Sequence, residues 1–127
     1  MFHIATIAVA LLSSEPITTG EVSFQPTRQE ADVTARFRMA EATFRFERQG
    51  IRATPGYSVS AVRFPSPVIT DVPANNTVHA EYFRPNRPGK SSGVVVLHIL
   101  GADFALSRYL AARLADRGVA ALFVKLP

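Results

Sequence analysis

The 127-residue chain has the composition of a globular protein, and several classes of site can be excluded at once. Its residues are 47% hydrophobic and 19% charged, a balance that allows one domain with a modest core, or part of one. The formal charge is +4 at pH 7, but the basic residues form no run, so a nucleic-acid partner is not expected. The absence of cysteine excludes disulfides, thiolate zinc sites and a cysteine nucleophile from these residues.

The longest apolar stretch, residues 4–12, lies near the N-terminus. It is shorter than the roughly 18 to 20 residues of a membrane-spanning helix, so no membrane span is expected. With Ser13 and Ser14 after it, the stretch has the length and the small-residue exit of a secretory signal, but no basic residue precedes it. A cleaved signal within residues 1–14 and an ordinary N-terminus both stay open. A cytoplasmic location is favoured over a secreted or periplasmic one.

Residues 1–50 are predicted to form an irregular lead-in to the domain. Residues 15–35 mix prolines, threonines and scattered charges, and they follow neither the period of a strand nor that of a helix. Near the end of this region Phe44 and Phe46 alternate with charged residues. This alternation favours a strand at 43–48, although the residues before it are good helix formers.

Residues 51–127 are predicted to hold two kinds of strand. Residues 57–64 and 77–84 alternate between apolar and polar side chains, which indicates antiparallel neighbours with one wet face. Residues 94–97 and 119–124 are apolar at every position, which is typical of parallel strands buried on both faces. A loop rich in proline and glycine, residues 84–93, separates the two kinds.

A helix is predicted between the two apolar strands, from Phe104 to about Arg117. Asp103 is placed to cap its first turn, and Gly118 can end it in the left-handed conformation. A stripe at positions i, i+4 and i+8 is expected to face the sheet, and it consists of Leu106, Leu110 and Leu114.

These elements define an α/β class in which N-terminal antiparallel strands lead into a parallel βαβ unit. A parallel sheet is stable when both of its faces are covered, and one helix covers only one face. Residues 51–127 are therefore expected to be the front part of a larger α/β domain. The other interpretation is a small, non-catalytic binding or partner-dependent module.

The loop 98–103 is the strongest candidate for a functional segment. It joins the carboxyl end of a buried strand to a helix N-terminus, and ligands bind at that edge of open α/β sheets. Backbone N–H groups there can stabilise an oxyanion, and Gly101 permits a tight turn. The alternative is a plain connection in which His98 is a hydrogen-bonded packing residue.

Residues from about Tyr57 to Pro127 resemble the N-terminal half of α/β-hydrolase proteins, in the dienelactone-hydrolase-like or acyl-esterase-like branch. The segments that carry the resemblance are 63–67, 75–85 and, above all, 95–108. The resemblance implies an incomplete α/β-hydrolase fold. It also implies a substrate that is a small ester or related acyl compound.

In that family the nucleophile, the acid and the histidine follow later strands, so the resemblance places no catalytic side chain in this chain, and the fragment is expected to be inactive alone. It assigns half of the oxyanion hole to the backbone N–H of Ile99 or Leu100. His98, Gly101 and Asp103 would support that loop. A triad needs only side chains and oriented backbone, so no cofactor and no metal are expected.

Overall fold

The computed structural model describes residues 15–26, 32–38, 40–98 and 103–126. Within them the chain forms a mixed six-stranded sheet and one α-helix, with short 3-10 turns at Ala35–Phe37 and Pro73–Asn76. The helix, α1, spans Ala105–Asp116. The strands are β1 (Thr18–Phe24), β2 (Ala42–Ala53), β3 (Tyr57–Pro65), β4 (Thr77–Pro85), β5 (Gly93–Leu97) and β6 (Ala120–Lys125).

The strand order is β1-β2-β3-β4-β6-β5. Strands β1 to β4 are antiparallel neighbours, β6 is antiparallel to β4, and β5 is parallel to β6. The predicted α/β class is confirmed in this form, because antiparallel strands lead into a parallel pair joined by a helix. The strands predicted at 57–64, 77–84, 94–97 and 119–124 are present with boundaries shifted by at most one residue.

The prediction of an irregular lead-in is wrong for β1, whereas the strand predicted at 43–48 is confirmed as part of β2. Strand β1 pairs with β2 from Thr18 opposite Arg48 to Phe24 opposite Ala42. Strand β1 is an exposed edge strand that is held by backbone pairing. Its sequence therefore lacks the apolar alternation from which a strand is predicted. Strand β2 is longer than the predicted 43–48, and a register shift between Gly50 and Arg52 interrupts its pattern. Residues 1–14 lie outside the described residues.

The strand pairing gives the sheet two different faces. We call the side against α1 the helix face; its core contains residues of α1, β3, β4, β5 and β6, namely Tyr57, Val59, Phe83, Val96, Ala111, Ala115, Ala121 and Phe123. We call the other side the open face. In the part of the chain that the structure describes, no helix lies over the open face, and Val95 and Leu97 of β5 are 62% and 57% exposed there.

The prediction that the leucine stripe of α1 is buried is wrong for Leu106 and Leu110, which are 66% and 49% exposed. Leu114, the third member, is partly buried and packs against the core. The fully buried positions of α1 are the small residues Ser107, Ala111 and Ala115, which fit against the large rings of Phe83 and Phe123.

The exposed leucines lie on the side of α1 opposite Arg108, which reaches Glu81 of β4. Successive residues of an α-helix are about 100° apart, so Leu106 and Leu110 point away from Arg108. The outer surface of α1 thus carries exposed apolar side chains.

The end of α1 matches the prediction. Gly118 has φ +87°, and its N–H donates to the Ala115 carbonyl at 3.0 Å. The Val119 N–H donates to the Leu114 carbonyl, also at 3.0 Å. These two bonds form a Schellman motif, which satisfies the last carbonyls of the helix and turns the chain into β6.

Candidate functional site

The carboxyl ends of the parallel strands meet the start of α1, and this is the edge where the sequence predicts a site. His98 directly follows β5, Leu126 directly follows β6, and Phe104 directly precedes α1. Open α/β sheets bind ligands at this edge because loops and helix N-termini converge there.

His98 links the ends of the two parallel strands. Its Nε2 accepts the Leu126 N–H at 3.2 Å and lies 3.4 Å from the Leu126 carbonyl oxygen. Its ring also meets the Phe104 ring edge-on, with centroids 5.1 Å apart. His98 is therefore held by the backbone of one strand end and by the residue that precedes the helix.

Phe104 is the aromatic centre of this edge. Its ring packs edge-on against buried Phe123, with centroids 5.4 Å apart. The Arg108 guanidinium carbon lies 5.6 Å from its centroid and the Lys125 ammonium nitrogen 5.7 Å. Both cations are within the range of a cation–π interaction, so the ring helps to position them.

A buried carboxylate joins the two cations. Glu81 of β4 is only 6% exposed on the helix face. Arg108 donates to it through Nη2 to Oε1 at 2.6 Å and through Nε to Oε2 at 2.9 Å, which is a bidentate pair. Lys125 donates to Oε1 at 2.9 Å. The hydrogen bond from Arg108 holds the pKa of Glu81 below its usual value, with a further contribution from Lys125 and against the effect of burial.

The sequence analysis missed this ion cluster. The alternation of β4 could have flagged Glu81, because Glu81 shares a face with Phe83, a fully buried residue. Arg108 and Lys125 carry no such signal. They are brought to Glu81 only by the packing of α1 and β6 on β4, which sequence spacing does not reveal.

Asp103 makes the bond predicted for a cap. Its Oδ1 accepts the Ala105 N–H at 2.9 Å, which satisfies one of the free amides of the first turn. The regular helix begins one residue later than predicted, with Phe104 as its boundary residue. Ile99, Leu100 and Gly101 lie outside the described residues, so the structure places only His98 and Asp103 of the predicted oxyanion loop.

The formal charges at this edge are balanced by side chains of the described residues. Arg108 and Lys125 face Glu81, and Asp103 at the N-terminus of α1 also interacts electrostatically with Arg108. Among residues 15–26, 32–38, 40–98 and 103–126, no group of three His, Cys, Asp or Glu side chains is placed to hold a metal ion. No helix among them is both long and apolar enough to cross a bilayer.

Comparisons of the chain with protein-family models, with curated proteins and with solved structures gave no match. The resemblance to α/β hydrolases therefore depends on the residues quoted for it.

Proposed function

We propose that the chain forms the N-terminal part of an α/β-hydrolase domain that cleaves small esters or related acyl compounds. Its contribution is one side of the oxyanion hole, and the nucleophile, acid and histidine follow in later parts of the domain. The observation that supports this most is the position of β5. Within the described residues, β5 is the outermost strand, pairs only with β6, and leads through the candidate loop into α1.

The free edge of β5 supports a ligand-binding role for the candidate loop. The chain passes from β5 to β6 in the direction of β4. A later strand that paired with the free edge of β5 would require a connection in the opposite direction. The carboxyl end of β5 would then be the topological switch point of the sheet, which is where α/β enzymes bind their ligands.

The surfaces around this edge favour a larger domain. Val94 on the helix face, and Val95 and Leu97 on the open face, are all exposed, as are Leu106 and Leu110 of α1. Parallel strands are normally covered on both faces. A further strand with its own helices would cover these side chains, and the leucine stripe of α1 would then be buried as its spacing predicts.

In the proposed reaction this part of the domain contributes only backbone groups. A hydroxyl or thiol nucleophile adds to the acyl carbon and gives its proton to the histidine, while the carbonyl oxygen becomes an oxyanion. The backbone N–H of Ile99 or Leu100 is proposed to stabilise that oxyanion. The alcohol leaves with the proton from the histidine. Water then adds to the acyl-enzyme and gives its proton to the histidine, and the acid is released as the nucleophile regains that proton. No cofactor is required.

The first experiment reads the coding sequence beyond Pro127 and expresses the whole open reading frame. We expect G-x-S-x-G or G-x-C-x-G roughly 40 to 60 residues downstream, after another apolar strand. The purified protein should hydrolyse an activated aryl acetate and react with a fluorophosphonate or thiol-directed probe at that motif. A reading frame without such a motif would contradict the proposal and favour the small binding module.

The second experiment compares Gly101→Val with Leu100→Met in that protein. Valine adds a β-branched side chain at the proposed turn and should displace the oxyanion donors, and loss of one donor lowers kcat about 10² to 10³-fold. Leu100→Met keeps the backbone and should change kcat little. If Gly101→Val is folded, as judged by its Tm, and keeps the original kcat, the loop is a plain connection.

A further inference from the structure

A second apolar surface lies on the open face, on strands β1 to β4 and β6. We call it the aromatic patch; together with Arg48 at its margin it surrounds a cavity of about 390 Å³, and it consists of Val22, Phe44, Phe46, Val62, Phe64, Tyr82 and Leu122. It is distinct from the free edge of β5, because six of its seven residues come from β1 to β4.

The aromatic patch is ordered by contacts within the sheet. The rings of Phe44 and Phe64 have centroids 5.6 Å apart. The ring of Phe46 lies over Gly20, in the space where a side chain at that position would sit. Val22 is 41% exposed. The result is a preformed apolar surface that nothing covers within the part of the chain described by the structure.

The patch continues into a cavity of about 550 Å³ whose lining includes three arginines, Arg48, Arg52 and Arg84. The two cavities share Arg48 and Tyr82. Glu15, the first described residue, also lines the larger cavity. The Glu15 side chain lies over Gly50, and the Glu15 carbonyl accepts a hydrogen bond from Gln49 Nε2 at 3.2 Å.

Glu15 is thereby placed on the open face. Gly50 pairs with Ser60, and Ser60 pairs with Tyr82, which lines the aromatic patch. The position above Gly50 is on the same side of the sheet as these residues, since paired residues share a face. The chain that precedes Glu15 therefore enters the described structure beside the patch.

We propose that the apolar segment 4–12 of this same chain docks on the aromatic patch and covers it. Thr6 is the one polar residue of that segment, and Ser13 and Ser14 connect it to Glu15. The carboxylate of Glu15 lies where arginines line the cavity, and the apolar residues upstream of it match the apolar part of the same face. The order of polar and apolar residues in the segment thus follows that of the surface.

The segment is long enough to reach the patch. From Gly50 to Phe44 along β2 is six residues, or roughly 20 Å at about 3.3 Å per residue. Nine extended residues span roughly 30 Å. A segment tethered by a short link meets its site at an effective concentration in the mM range. A second copy of the chain would occupy the patch to the same extent only at mM protein concentrations.

A cross-linking experiment tests this placement directly. Because the chain lacks cysteine, Leu11→Cys provides a unique position for a benzophenone maleimide. Irradiation should join residue 11 to peptides of the same chain that contain Phe44, Phe46 or Phe64. The matched control is Tyr109→Cys, at a position 63% exposed on α1 at the other face of the sheet, which should not label those peptides.

Each other outcome of the cross-linking contradicts the proposal. Cross-links to α1, or no cross-links, would place the segment elsewhere. Cross-links between two chains, seen as a dimer on a denaturing gel, would assign the patch to a second copy. An intact mass that lacks residues 1–14 would show a cleaved signal, and the mature protein would then hold no such segment.

A double-mutant cycle tests the docking without a label. Leu11→Asp should lower Tm by several degrees, roughly 2 to 8 °C, and raise bis-ANS fluorescence, whereas Ser13→Asp adds the same charge in the link and should change neither. Val22→Asp alters the patch from an exposed edge strand. If segment and patch touch, the effects of Leu11→Asp and Val22→Asp on Tm will not add; simple additivity would overturn the docking.

Discussion

The two faces of the sheet bury residues of the same type to very different extents. Val95 and Val96 are neighbours in β5, yet Val95 on the open face is 62% exposed and Val96 on the helix face is 6% exposed. Phe123 on the helix face is fully buried, whereas Phe44 and Phe64 on the open face are only partly buried. For these residues, burial therefore follows whether the face has a packed partner, since the residue types compared are the same.

This difference separates structural from interacting surfaces. At the centre of the helix face, small residues of α1 pack against large rings and a buried carboxylate has three donors. The open face and the free edge of β5 leave apolar surface exposed, and surface of this kind marks a docking site for another element. Both proposals concern this second kind of surface.

The largest expected effect breaks the helix face at its centre. Phe123→Ala should lower the free energy of unfolding by about 3 to 5 kcal/mol, because it removes a buried ring and leaves a cavity beneath α1. Leu122→Ala, one residue away on the open face, should cost less than about 2 kcal/mol because Leu122 is only partly buried. Urea unfolding of both variants gives the comparison. Equal losses would mean that the two faces are equally packed.

The next effect concerns α1, where alanines occupy buried positions and leucines exposed ones. Ala111→Leu should destabilise the chain by roughly 2 to 3 kcal/mol, since Ala111 is fully buried against large rings and the added atoms have no space. Leu110→Ala should cost less than about 0.5 kcal/mol, since Leu110 is half exposed. The same unfolding measurement applies. A larger loss for Leu110→Ala would restore the leucine stripe as the buried face.

Local signals explain which parts of the fold could be predicted from the sequence. The apolar runs predict β5 and β6, and the ends of α1 are predicted from Asp103 and Gly118. These signals suffice because strand burial and helix ends depend on nearby residues. The buried stripe of α1 was assigned to the wrong residues because the choice between alanines and leucines depends on the volume of Phe83 and Phe123 across the interface. The periodicity of the helix sequence gives no information on the size of the side chains it packs against.

Non-local features explain the rest. Strand β1 is an exposed edge held by its pairing with β2, so it lacks the apolar pattern on which strand prediction depends. Of the predicted loop, the structure places His98 and Asp103 at the carboxyl edge of the parallel strands, and the function of that edge stays a prediction. The Glu81 cluster draws on β4, α1 and β6, and its members come together only when these three elements pack.

A smaller effect concerns the ion cluster on the helix face. Glu81→Gln should cost roughly 1 to 2 kcal/mol at pH 7, because it removes the charge that pairs with Arg108 and Lys125. The cost stays below that of a fully buried pair, since the Arg108 side chain is half exposed and can turn to water. Glu21→Gln, at an exposed pair on β1, is the matched control and should be nearly neutral.

The same carboxylate gives stability a defined pH dependence. The pKa of Glu81 is lower in the folded chain than its ordinary value near 4.5, so the unfolded chain binds its proton more readily. The stabilisation is complete above about pH 4.5 to 5 and is lost as the pH falls through the lowered pKa. The difference in Tm between wild type and Glu81→Gln should therefore shrink on going from pH 7 to pH 3. A Tm difference that stays constant with pH would show that the charge of Glu81 does not cause the stabilisation.

The smallest effect lies at the start of α1, where the helix face meets the candidate loop. Asp103→Ala removes the acceptor of the Ala105 N–H and should lower the free energy of unfolding by about 1 kcal/mol. Asp103→Asn keeps an acceptor oxygen at the same position and should lose only part of that, chiefly the interaction of the charge with the helix dipole. Thermal unfolding of both variants measures the two costs. In the larger protein that we propose to be a hydrolase, neither change should alter kcat much, because the proposed oxyanion donors are backbone groups earlier in the loop. A large loss of kcat in Asp103→Asn, with Tm unchanged, would instead assign the carboxylate a direct part in the chemistry and would move the functional centre of the loop from its backbone to this side chain.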